Sequence, residues 1–100
     1  LISINKAIAL RKVNDLDKNK KDMWKEENNQ LQKTFQFENF VEAFAFMTQV
    51  AFAAEKMDHH PNWSNVYNKV EIRLFTHDAN NSITEKDRKL SVLIDEIYKK

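Results

Sequence analysis

Glycine is missing altogether from the 100 residues, cysteine is missing too, and Pro61 is the single proline. Each absence closes off some chemistry. Without cysteine there is no disulfide, no thiolate nucleophile and no cysteine-ligated zinc or iron–sulfur centre, and a reducing compartment is permitted. Without glycine there is no Gly-rich phosphate loop and no Gly-x-Ser-x-Gly nucleophile elbow. Any turn that needs a positive φ must use Asn or Asp, the next most tolerant residues. Strong charge is missing as well. The formal net charge is +1, so no global field draws nucleic acid or an acidic surface. The short cluster Lys18, Lys20 and Lys21 reads as a solvated turn. There is no basic stripe or zinc finger, so no direct nucleic-acid partner is expected. No apolar run approaches the roughly 18 residues that span a bilayer, so no membrane partner is expected either. The opening Leu1-Ile2-Ser3-Ile4 has neither the basic leader nor the cleavage site of a secretory signal, and a cytoplasmic location is expected. With Leu1 rather than Met in first place, further residues are expected upstream.

What is present suits a single domain over residues 1–100. A domain of this size buries roughly two thirds of its unfolded surface, enough for one core and not two. The first segment, Ile4 to Leu16, carries Ile4, Ile8, Val13 and Leu16 at helical spacing. A polar stretch, Asp17 to Asp22, reads as a loop, and Met23-Trp24 opens a strand. Asn28-Asn29 predicts a hairpin turn. In the run Leu31 to Phe37, residues Leu31, Lys33, Phe35 and Phe37 share one side, as in a half-buried strand. A long helix is predicted from Asn39 to Met57. Its stripe is Phe40, Phe44, Met47, Ala51 and Ala54, widened by Val50 and Met57, with Phe46 and Phe52 off its centre. Pro61 is expected to fix the helix end and to hold His60 extended. Strands follow from Trp63 to Tyr67 and from Val70 to Phe75, with a turn near Asn68-Lys69. A polar loop, His77 to Ser82, precedes a last helix capped at Thr84, with Asp87 near its N-terminal dipole. Its stripe is Leu90, Leu93, Ile94, Ile97 and Tyr98. The order α-β-β-α-β-β-α predicts an α+β fold: a four-stranded antiparallel sheet with helices packed on one face. Its uncovered face and free edges favour homo-oligomers.

The three histidines are His59, His60 and His77. The first two sit where the long helix stops, the third just after the Val70 to Phe75 strand. A helix end and a strand end can meet at one rim, a common place for sites. Imidazole titrates near neutral pH, so such a cluster can supply an acid and a base. Glu55, Asp58 and Asp78 are close enough in sequence to orient a ring. Two other readings stay open on spacing alone. These could be ordinary surface or core histidines, or three zinc ligands, although no His-Glu-x-x-His pattern is present. Trp63 and Tyr67 could stack on a flat heterocycle or belong to the core.

The run Glu55-Lys56-Met57-Asp58-His59-His60-Pro61-Asn62-Trp63-Ser64-Asn65-Val66-Tyr67-Asn68-Lys69-Val70, closed by Thr76-His77, resembles the central motif of the pterin-4a-carbinolamine dehydratase family. Ala43-Phe44-Ala45-Phe46-Met47 is similar to the family's long helix, and Thr84-x-x-Asp87 to the start of its last one. The resemblance covers about Phe35 to Tyr98. It implies dehydration of 4a-hydroxytetrahydrobiopterin to quinonoid dihydrobiopterin without metal or cofactor, in tetrahydrobiopterin recycling. It implies His59, His60 and His77 as the acid/base group. Asp58, Pro61, Trp63, Phe75, Thr76 and Asp78 then join the histidines around the pterin substrate, with Glu55 and Asp87 in support. It implies homodimers or homotetramers. A second reading comes with it: some relatives act as dimerisation cofactors of a transcription factor, which would add a nuclear location. Here the outer side of the long helix, Glu42, Phe46, Gln49, Phe52 and Ala53, could serve such a partner. A third reading is a pterin-binding protein without turnover. The sequence departs from the family in the loop after His77, where Asn80-Asn81-Ser82 stands in place of the usual glycine and the loop is one residue longer.

Overall fold

A computed structural model describes residues 23–99. The expected helix Ile4 to Leu16 and the loop after it lie outside the described residues. Strands β1 (Lys25–Glu27) and β2 (Gln30–Gln36) form the first hairpin, and β3 (Asn62–Val66) and β4 (Lys69–Leu74) the second. Helix α1 (Phe40–Met57) joins the hairpins, and α2 (Glu85–Lys99) closes the chain after one short 3₁₀ turn at His77–Ala79. The sheet order is β1-β2-β4-β3, with every neighbour antiparallel.

Alternation decides which sheet face the helices cover. Leu31 and Phe35 of β2 stand beside Leu74 and Val70 of β4, with Ile72 between them, and all five are buried. The opposite face carries Gln32, Thr34, Glu71 and Arg73. There Arg73 Nη2 pairs with Glu71 Oε1 at 2.9 Å. Both helices lie on the apolar face and add Ala43, Phe46, Val50 and Ala54 from α1 and Leu90 and Ile94 from α2. Lys33 sits on the inner side as expected. Its Nζ meets Asp95 Oδ1 at 2.8 Å, and Trp24 Nε1 donates to both oxygens of the same carboxylate.

The phase of α1 differs from the expected one. The buried stripe is Ala43-Phe46-Val50-Ala54, while Phe40, Phe44 and Ala51 are exposed. Phe46 is therefore core, not part of an outer face. The helix is apolar around more than half its circumference, so periodicity alone does not select the phase. The small Ala43 and Ala54 let the backbone approach the sheet. Phe46 then enters an aromatic cluster, with ring centroids 5.0 Å from both Phe35 and Phe37 and 5.8 Å from Tyr98.

Turns behave as a glycine-free chain requires, with one exception. Asn28 and Asn29 both take positive φ, as the first hairpin turn demands. The second hairpin turns at Tyr67-Asn68, one residue earlier than expected, and Tyr67 rather than an Asn adopts φ 52°. The register is held from outside the hairpin. Phe37 N–H donates to Asn68 O at 2.8 Å, and the Asn68 amide donates to Phe37 O at 2.9 Å.

Candidate functional site

Helix α1 ends in a left-handed residue, Asp58, at φ 52° and ψ 43°. Asp58 N–H donates to Glu55 O and His59 N–H to Ala54 O, each at 3.0 Å, which is a Schellman cap with Asp where Gly is usual. This cap, not Pro61, sets the helix end. It also sends the two neighbouring histidines to different places.

The His59 ring goes inward and is 8% exposed. Its Nε2 lies 2.5 Å from Oδ1 of Asp87, which is fully buried at 0% exposure. Asp87 Oδ2 accepts from Thr84 N–H at 2.8 Å and from Thr76 Oγ1 at 2.8 Å. Thr84 occupies the N-cap position of α2, since its carbonyl accepts from Asp87 N–H and Arg88 N–H. Its hydroxyl does not cap, because it is engaged with Thr76 Oγ1 at 2.6 Å. Asp87 instead reaches back to the Thr84 N–H, half of a capping box. One carboxylate thus joins the end of α1, the end of β4 and the start of α2.

The His60 ring goes outward. Its Nε2 lies 2.8 Å from Glu55 Oε1, and these side chains are 58% and 79% exposed. With Pro61, Trp63, Glu55, Thr48, Ala51, Phe52 and Ala54, it lines an open groove of about 420 Å³. Trp63 is half-buried on the core side of β3, opposite Ile72, so one edge packs and another faces the groove.

His77 opens the 3₁₀ turn, and its Nδ1 lies 3.0 Å from Asn81 Oδ1. Asn80 and Asn81 take φ 59° and 57°, so asparagine supplies the turn that glycine would. Thr76 N–H donates to Ser82 O at 2.8 Å and closes the loop. Thr76 also bonds Asp87, so the residue before His77 and the His59 ring share one carboxylate. Phe75 is half-buried between β4 and this loop, and Asp78 is exposed in the turn. Asp58 is exposed and serves the cap through its backbone.

Each imidazole therefore has its own acceptor: a buried carboxylate, an exposed carboxylate and an amide. Sequence reasoning did not single out Asn81 as a partner of His77, and it placed Thr76 at the pterin and Thr84 at the helix cap without linking either to Asp87. Asn81 stands four residues after His77, a spacing that could have suggested it. Nothing in the spacing pointed to the bond from Thr76 to Asp87. A larger cavity, about 690 Å³, lies by Trp24, Lys33, Arg88 and Asp95 and includes none of the motif residues. Glu26 beside Arg88 raises the Arg88 guanidinium above its ordinary range. Among the described residues no three His, Asp or Glu side chains cluster as a metal site requires, and no helix is long and apolar enough to cross a membrane.

Residues 8–97 match the family model described as pterin 4 alpha carbinolamine dehydratase. A relative from Prochlorococcus marinus (strain NATL2A) is 48% identical over 92 residues, 90% of this chain and 96% of the relative. Another, from Christiangramia forsetii, is 54% identical over 82 residues, 81% of this chain and 84% of the relative. Both carry the name pterin-4-alpha-carbinolamine dehydratase as a provisional assignment. A crystal structure titled transcriptional coactivator/pterin dehydratase, from Brucella melitensis, is similar with a TM-score of 0.72 and 40% identity, over 77% of this chain and 83% of that one. A pterin dehydratase-like protein identified as a RuBisCO assembly factor shares the fold, with a TM-score of 0.66 at 24% identity, over 76% of this chain and 89% of that one.

Proposed function

The chain belongs to the pterin-4-alpha-carbinolamine dehydratase family, and on that premise we propose that it dehydrates 4a-hydroxytetrahydrobiopterin to quinonoid dihydrobiopterin. The reaction needs two proton movements. The 4a-hydroxyl leaves as water and takes a proton from an acid, while a ring nitrogen gives a proton to a base. Positioned histidines typically contribute about 10²–10⁴-fold each to such steps. His60 and His77 form the proton-transfer pair and His59 assists. Asp58, Pro61, Trp63, Phe75, Thr76 and Asp78 complete the pterin site, and Glu55 and Asp87 support the histidines. No cofactor is required, and the product feeds tetrahydrobiopterin recycling in the cytoplasm. The working form is a homodimer or homotetramer.

One observation carries this reading: three histidines from two chain segments each meet a dedicated hydrogen-bond partner, and the segments are tied through Asp87. The test is turnover of freshly made 4a-hydroxytetrahydropterin, followed by ultraviolet absorbance, for the wild type and a His59→Ala/His60→Ala variant. Acceleration by the wild type and its loss in a still-folded variant are expected. A folded wild type that binds pterin without accelerating the reaction would make it a pterin-binding protein.

A second reading has its own support. The outer side of α1 exposes Val41 by 75%, Phe44 by 55% and Phe52 by 73%. A similar structure is titled as a coactivator as well as a dehydratase. Such a surface suits a second copy of the chain or a transcription-factor partner. Capture of one defined partner, unaffected by loss of the histidines and abolished by Phe52→Glu, would favour the interaction role.

A further inference from the structure

We propose that Asp87 is a positioning residue. It holds the His59 ring in a single tautomer, with the proton on Nε2 and the Nδ1 lone pair offered to the pterin. This rests on the dehydratase reading and specifies what His59 contributes to it.

The assignment follows from counting donors. Thr84 N–H is a backbone donor whose direction cannot reverse, and it points at Asp87 Oδ2 from 2.8 Å. Thr76 has one hydroxyl proton, and its oxygen lies 2.8 Å from the same Oδ2. With that proton committed, the 2.6 Å contact between the two threonines is made by the Thr84 hydroxyl donating to Thr76. Oδ2 therefore accepts from a backbone N–H and a hydroxyl, the arrangement an ionised carboxylate takes, while the Thr84 hydroxyl, 3.5 Å from Oδ2, gives its proton to Thr76. The remaining partner, His59 Nε2 at 2.5 Å from Oδ1, then supplies an N–H.

The other ring nitrogen completes the case. Among the described residues Nδ1 of His59 has no hydrogen-bond partner, yet no fully enclosed side-chain nitrogen or oxygen is left without one. Nδ1 therefore belongs to the small part of the ring that can be reached from outside. A neutral imidazole with Nε2–H has a lone pair at Nδ1 and acts there as an acceptor. The pterin nucleus offers ring N–H groups as donors. His59 Nδ1 takes one of them, and the buried carboxylate prevents the ring from flipping or exchanging its proton to the wrong side. An exposed histidine such as His60 has no comparable constraint.

The test is long-range ¹H–¹⁵N spectroscopy of the histidine-labelled full chain, run beside the turnover assay. In the wild type the neutral His59 should show a pyrrole-like Nε2 and a pyridine-like Nδ1 as one species. Asp87→Asn should mix the two tautomers and lower kcat by about 10- to 100-fold, the scale seen when carboxylates that orient metal-bound histidines are removed, with a smaller change in KM. The wild-type spectrum decides the matter even if that variant does not fold. A pyridine-like Nε2, a ring protonated on both nitrogens throughout neutral pH, or a folded Asp87→Asn enzyme with unchanged kcat would overturn the assignment. Wild-type turnover with the opposite tautomer would overturn it while leaving the dehydratase reading intact. The stated tautomer in a wild type without turnover would remove that reading and the positioning role with it.

Discussion

His59 and His60 are chemically identical neighbours, and the fold treats them as opposites. One ring is enclosed and meets a carboxylate with no solvent contact, while the other is mostly exposed and meets a still more exposed one. The difference arises at Asp58, whose left-handed turn ends α1 and redirects the backbone just before the doublet. Enclosure changes what each pair contributes. Removing a buried, hydrogen-bonded carboxylate strands every enclosed donor that met it and costs several kcal/mol, whereas an exposed pair competes with water and salt. The first histidine is thus part of the framework, and the second is not.

The sharpest test compares the two carboxylates. Asp87→Ala strands the His59 Nε2–H, the Thr76 hydroxyl and the Thr84 N–H together, and should lower unfolding stability in urea by about 3–5 kcal/mol. Equal losses from Asp87→Ala and Glu55→Ala would erase the distinction. Next come the rings themselves. His59→Ala should cost about 1–3 kcal/mol by leaving Asp87 short of a donor. His60→Ala should stay within about 0.5 kcal/mol, as surface changes usually do. A smaller effect sharpens the role of the cap. Asp58→Gly should gain up to about 1 kcal/mol and Asp58→Ala should lose a similar amount, because only the first relieves the left-handed strain. Glu55→Ala itself should cost only about 0–1 kcal/mol, and this small effect should shrink further in high salt.

Much of the framework was readable from residue patterns. Leu31 and Phe35 against Val70, Ile72 and Leu74 announce two half-buried strands, and Asn28-Asn29 announces its turn because few other residues accept that backbone. Leu90 and Ile94 place the inner side of α2, although Leu93 and Tyr98 lie nearer its margin. Tyr98 still packs on Phe35 and donates to Gln36 O at 3.0 Å. The phase of α1 was not readable, because its apolar residues exceed what one face can hold and tertiary packing made the choice. The second hairpin turn moved by one residue because Asn68 is claimed by Phe37, a partner 31 positions away. In the site, the motif marks the histidines, but spacing cannot say which of two adjacent rings turns inward. That depends on Asp87 being unsolvated and on Thr76 reaching it, both products of the completed fold.

The Asp87 junction has a consequence for the order in which the molecule opens. Sites assembled on loops commonly sit in the least protected part of a protein, where local openings are frequent. Here a single carboxylate fastens the final turn of one helix, the first turn of the other and the end of a central strand. None of the three can loosen alone without stranding an enclosed polar group. The amide protons of His59 and Thr84 should therefore exchange with solvent only when the whole domain unfolds, while that of Asn81, which meets only His77 O at 3.4 Å in the exposed loop, exchanges through local opening. On this view the histidine rim and the hydrophobic core form one cooperative unit, and the site is ordered in the same event that folds the chain.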